Sequence, residues 1–238
     1  MATRKKIILS ASRRTDIPAF YMPWFMDGIE KARFEVINPY NQQVSIVPAG
    51  ADQVHTIVFW SKDFGPFLYG NYGEELIARG YHLFFNFTVN TPDRLLEPNV
   101  PALGERIEQM AALGRRFGPQ VINWRFDPLC FYTTAQAGSV DNRGAFEMIA
   151  GAAARLGVQR CVTSFMDDYA KVRRRAASLP GFSFIDPPHA KKVSICLAMA
   201  RALAVHKVSL QLCCEKEVLA GLPDGSGIKR EVAFRQTF

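Results

Sequence analysis

The sequence predicts an α/β fold: a TIM-like (β/α) barrel, partial or irregular, with about six core parallel strands. Three observations predict it. Apolar runs of strand length alternate with segments of helical spacing at intervals of about 30–45 residues, from one end of the chain to the other. Polar and charged residues recur where those runs stop, as they do on the functional face of parallel α/β folds. Neither GxGxxG nor a Walker-type GxxxxGK stands at a strand–helix junction, which argues against a nucleotide-binding sheet with a recognisable phosphate loop.

The elements follow in order. Residues 6–10 read as a first buried strand, and 18–31 as a helix entered through Ile17-Pro18. The runs 34–37 and 44–47 flank Asn38-Pro39-Tyr40-Asn41, a composition that turns the chain, and predict a strand or hairpin pair. Residues 55–60 form a second buried strand, 73–79 a helix and 81–89 a third strand. Leu103, Ile107, Met110, Leu113 and Phe117 space a helix over 102–117, which Gly118-Pro119 ends. A fourth strand covers 121–125, followed by a helix over 142–156, a strand at 159–165 and a helix over 167–178. A helix over 188–204 and a strand at 207–213 complete the pattern. Pro223 to Gly227 is a turn, and the segment 222–238 is of uncertain order. No linker, repeat or low-complexity stretch interrupts this, so residues 1–238 read as one domain, a size that α/β barrels routinely reach.

Composition narrows the function classes. The chain is 48% hydrophobic and 21% charged, ordinary for a soluble protein. No apolar stretch approaches the roughly 20 residues that cross a bilayer, and the apolar run after Arg4-Lys5-Lys6 is too short for a signal peptide. The expectation is a cytoplasmic protein with no membrane partner. The formal charge of +7 favours anionic partners. Apart from Arg4-Lys5-Lys6 and Arg173-Arg174-Arg175 the basic residues are dispersed, so a nucleic-acid-binding module is the weaker reading. Cys130, Cys161, Cys196, Cys213 and Cys214 form no CxxC, and adjacent cysteines rarely bridge, so reduced thiols are expected. His55, His82, His189 and His206 show no HxH or HExxH spacing, and no metal site is expected.

The strand endings supply the candidate ligand-binding residues. After the first strand come Ser12, Arg13, Arg14 and Asp16, where an arginine can fork onto a carboxylate or phosphate. The alternative there is an Arg–Asp clasp, with Asp16 capping the next helix. Trp60 and Lys62 end the second strand, as a stacking face and a positive charge, or as a packed ring and a surface lysine. Asn86 and Thr88 on the third strand are neutral hydrogen-bonding groups. Arg125 and Asp127 alternate with Trp124 and Phe126, so a strand turns both charges to one side, and Pro128 ends it. They must pair with each other or bind something. Ser164 and Asp167 stand at the end of the fifth strand, with Asp167 and Asp168 also suited to a helix N-terminus. Together these residues point to a polar, cationic pocket for a small anionic or nucleotide-like ligand. No catalytic residue is assigned.

Several of these segments carry a family resemblance. Ile8 to Ala19, Trp24-Phe25, Asn38 to Asn41, Ile57 to Lys62, Trp124 to Pro128, Ser164 to Tyr169 and Cys213 to Glu217 through Gly225 to Lys229 resemble the bacterial family called domain of unknown function 1848. No established activity comes with that resemblance. It implies that full-length relatives continue into a cysteine cluster similar to the iron–sulfur loop of radical S-adenosylmethionine enzymes. This sequence reads Arg230 to Phe238 after Lys229 and has no such cluster. The resemblance therefore implies a radical-SAM-like body lacking its cluster, truncated, degenerate or repurposed, with a truncated non-catalytic remnant as the alternative. A [4Fe–4S] cluster and S-adenosylmethionine would be cofactors only if the cysteine tail were present.

Overall fold

The computed structural model describes residues 6–231 except 13–14, 136–137 and 168, with the backbone alone for Lys171 and Arg175. Strand β1 (Ile7–Ser10) is followed by two short helices, α1 (Ile17–Phe20) and α2 (Met22–Glu30), where one helix over 18–31 was expected. Each has a proline in its first turn. Pro23 has no N–H to give a helix interior but fits a helix start, so the chain breaks at Tyr21 and begins again.

The strands β2 (Arg33–Ile37) and β3 (Val44–Pro48) pair antiparallel, as the turn residues between them predict. Next come β4 (Val54–Ser61), α3 (Gly65–Tyr69), α4 (Tyr72–Ala78), β5 (His82–Thr88), α5 (Leu103–Phe117) and β6 (Ile122–Arg125). The second half contains β7 (Phe131–Thr134), β8 (Gly138–Asp141), α6 (Phe146–Arg155), β9 (Arg160–Thr163), α7 (Ala170–Ala176) and β10 (Ser183–Ile185). It ends in α8 (His189–Ala204), β11 (Ser209–Leu212), α9 (Lys216–Ala220) and the two-residue β12 (Lys229–Arg230).

One seven-stranded sheet organises the molecule, in the order β1-β4-β5-β6-β9-β11-β12, with every neighbouring pair parallel. All six expected core strands are in it. The seventh is β12, from the segment whose order the sequence left uncertain. Among the described residues β1 and β12 are its edges and do not pair with each other, so the sheet is open. A small antiparallel sheet, β10-β7-β8, was not expected. Its strands have three or four residues, too few to show a period of two.

The order of the strands along the sheet is their order in the chain. The helices contact one another in chain order too, α1 with α3, α3 with α5, α5 with α6, α6 with α8 and α8 with α9. They therefore form one layer on one face. Aromatic rings fill the space beneath that layer: Phe64 lies edge-on to Phe87 at 4.9 Å, and Phe67 to Phe59 at 5.1 Å. Side chains alternate along each strand, so the other face carries Trp60, Asn86 and Asn123, which are neighbours in register across β4, β5 and β6. No helix among the described residues is long and apolar enough to cross a membrane.

Candidate functional site

The carboxyl ends of the parallel strands hold two ion clusters. The first centres on Arg125, the last residue of β6. Its Nε and Nη2 donate to Asp127 Oδ2 at 3.2 and 2.8 Å, and its Nη1 donates to Glu231 Oε1 at 2.7 Å. The guanidinium lies 4.7 Å from the centre of the Trp60 ring. Asp127 Oδ1 accepts from Ser164 Oγ at 2.5 Å, which ties β6 to the end of β9. Burial lowers the affinity of Arg125 for its proton, but Asp127 and then Glu231 more than reverse that, so its pKa lies above the ordinary value. β12 brings Glu231 into place, since its backbone N–H donates to Leu212 O at 2.9 Å.

The second cluster centres on Glu97, in the loop after β5. Lys62 Nζ and Asn90 Nδ2, the latter at 2.8 Å, both donate to Glu97 Oε1. Arg106, wholly buried on α5, sends Nη1 to 3.7 Å from Glu97 Oε2 and donates from Nη2 to Asn90 O at 3.2 Å. Asn90 joins the clusters: its Oδ1 accepts from Asp127 N at 2.9 Å, and its Nδ2 donates to Asp127 O at 3.1 Å.

Beside the second cluster a cavity of about 240 Å³ opens above the ends of β4, β5 and β6. Lys62, Asn90, Glu97, Cys130 and Asn142 supply its polar side. Leu95, Leu96, Val172, Leu179, Phe182 and Phe184 supply an apolar wall, drawn from the loop before Glu97 and from α7, β10 and the segment that joins them. Burial pushes the Cys130 thiol up to about 12, which favours its protonated form.

The expected site residues divide among these places. Trp60, Arg125, Asp127 and Ser164 meet in the first cluster, and Lys62 lines the cavity. Thr88 is paired in register with Arg125. Asn86 is fully buried within the sheet, where its Oδ1 accepts from Asn123 Nδ2 at 3.2 Å, short of the strand ends. Asp16 makes the capping bond that the alternative anticipated, and Ser12 makes a local bond beside it that was not expected. Ile17 N donates to Ser12 Oγ at 3.2 Å and Ala19 N to Asp16 Oδ1 at 3.2 Å. Asp16 also accepts from Ser61 Oγ at 2.7 Å and Lys62 N at 3.0 Å, which fastens β1 to β4. Burial raises the Asp16 pKa, against the lowering effect of those bonds. Asp167 is exposed and accepts from Tyr169 Oη at 2.8 Å. Arg13, Arg14 and Asp168 lie outside the described residues.

Sequence reasoning missed Asn90, Glu97, Arg106, Asn142 and Glu231. Two of them carried a signal. Asn90 follows Val89 directly at the end of the third strand, so the strand-end rule applied one residue further would have found it. Arg106 occupies the helix face of Met110 and Leu113, both buried, and an arginine on an apolar stripe calls for a partner. No group of three or more His, Cys, Asp or Glu side chains that could hold a metal ion occurs among the described residues.

The sequence matches the family described as Domain of unknown function (DUF1848) over residues 8–235, nearly the whole chain, and the protein belongs to that family. No curated protein matches it.

Proposed function

We propose that this member of the family is a ligand-binding α/β protein, an open relative of the (β/α) barrels, that takes a small organic anion in the cavity above β4, β5 and β6. The convergence of Lys62, Asn90, Glu97 and Asn142 opposite an apolar wall carries the reading. Small-molecule sites have that character, a mostly apolar hollow with a few placed polar groups, and in parallel α/β folds they lie beyond the strand ends. An ammonium has three donors, and Glu97 engages one of those of Lys62. The Lys62 side chain is 39% exposed, so the remaining donors are free to meet an anionic group. The Asn90–Glu97–Arg106 network holds the lysine in that position.

The volume of about 240 Å³ falls below the roughly 300–1,000 Å³ of sites for drug-sized ligands, which favours a metabolite smaller than a nucleotide. Melting curves with a panel of small carboxylates and phosphate monoesters test the proposal. A ligand at a hundred times its Kd adds about 2.7 kcal/mol of stability. That gain is expected to disappear in Lys62→Met, and in Ala176→Phe, which fills the cavity from α7. Ligand binding that survives both substitutions at full strength would place the site elsewhere.

A further inference from the structure

Neighbouring side chains on a strand point to opposite faces, so adjacent cysteines ordinarily hold their thiols apart. At the end of β11 they come together. Cys214 has φ +61°, in the left-handed region that a residue with a β-carbon seldom adopts. Cys213 N donates to Thr163 O at 2.9 Å and Lys216 N to Cys214 O at 3.2 Å, which fixes the bend from both sides. The two Sγ atoms lie 3.6 Å apart, with Cys214 exposed and Cys213 half-buried.

That distance discriminates between chemistries. A disulfide needs an S–S length of about 2.05 Å and prefers Cα atoms about 4.4–6.8 Å apart, whereas adjacent residues on a trans peptide have Cα atoms about 3.8 Å apart. Bridging these thiols would strain the chain. Two thiolates on one tetrahedral ion, with metal–sulfur bonds of about 2.3 Å, stand about 3.8 Å apart. The pair already has nearly that span.

We propose that Cys213 and Cys214 form a two-sulfur site for a soft, thiophilic centre, either a d10 metal ion or a trivalent arsenical. With a metal ion, two metal–sulfur bonds form, both thiol protons leave to solvent and no electron is transferred. With an organoarsenic oxide, two As–S bonds replace the As=O bond, one water leaves and arsenic stays trivalent. Glu231, beside Cys213, is engaged by Arg125, and no group of three or more His, Cys, Asp or Glu side chains that could hold a metal occurs among the described residues, so the other coordination positions are left to water or a small ligand. Cys130, Cys161 and Cys196 are buried and do not compete.

The test titrates the fully reduced whole chain with phenylarsine oxide and, separately, with cadmium ion. Tight one-to-one binding is expected, with a sulfur-to-metal charge-transfer band for cadmium. Losing one of two linked donors costs about a hundredfold in affinity, so Cys214→Ser and Cys213→Ser should each show that loss and Cys130→Ser none. Cys214 is exposed, so its variant reports on binding without disturbing the core. Binding of one probe alone supports the site and identifies its class. Wild-type affinity no better than that of Cys214→Ser overturns the proposal. So does ready conversion by oxidised glutathione to a stable Cys213–Cys214 disulfide with no uptake of either probe.

Discussion

Two buried arginines stand at the same end of the sheet, and their surroundings differ. Arg125 gives three hydrogen bonds to two carboxylates and lies over an indole. Arg106 gives one, to a backbone carbonyl, and its Nε and Nη1 have no hydrogen-bond partner. The proton affinities diverge accordingly. Desolvation prevails at Arg106 and lowers its pKa despite Glu97, whereas Asp127 and Glu231 prevail over desolvation at Arg125 and raise it. Burial penalises both charges; the geometry of the partners decides whether the penalty is offset. The strand-end cluster is organised around its arginine, while Arg106 is tolerated as a support for Glu97 and Asn90.

The largest expected effect follows from that contrast. Arg125→Met strands two carboxylates that are mostly buried, and urea denaturation should show a loss of about 3–5 kcal/mol. Arg106→Met should cost less, about 2 kcal/mol, since it removes one neutral-acceptor bond and a long ion pair to Glu97 at 3.7 Å, and leaves Glu97 with Lys62 and Asn90. Equal costs would break the comparison. Glu231→Gln sharpens it by discharging one partner of Arg125 in place, and a loss of about 1.5–3 kcal/mol is expected. A cost near zero would mean that β12 and its glutamate contribute nothing to the charge balance.

A smaller effect separates the Arg125 cluster from the Asp16 fastening by pH. The folded pKa of Asp16 lies above 3.8, so its contribution is fully present below that pH and is lost as pH rises through the folded value. In Asp16→Asn that decline should vanish from the stability–pH profile, whatever the variant's absolute stability. An unchanged profile between the two proteins would refute the assignment. The smallest effect is Ser164→Ala, which removes one donor to Asp127 and should cost about 1 kcal/mol in the same denaturation assay.

Much of the frame was legible because its signals are local. A buried parallel strand announces itself as a short apolar run, and each of the six such runs became a strand of the main sheet. The side-by-side placement of Arg125 and Asp127 was legible for the same reason, being two residues apart on one strand. The capping role of Asp16 follows from its position before Ile17-Pro18. The expected helix over 18–31 divides in two because Pro23 cannot continue a helix interior and marks a new start.

The sequence alone determined the alternation of strand and helix, the polar character of the strand ends and membership of the family, all written in contiguous residues. Tertiary structure decided that the sheet is open among the described residues, that β12 joins it beside β11 and which charges meet. Lys62 finds Glu97 from 35 residues away, and Arg125 finds Glu231 from 106. Hydrophobic periodicity acts within a turn or a strand and can be read from neighbours. The partner of a buried charge is set by where the backbone returns in space, and no local pattern records that.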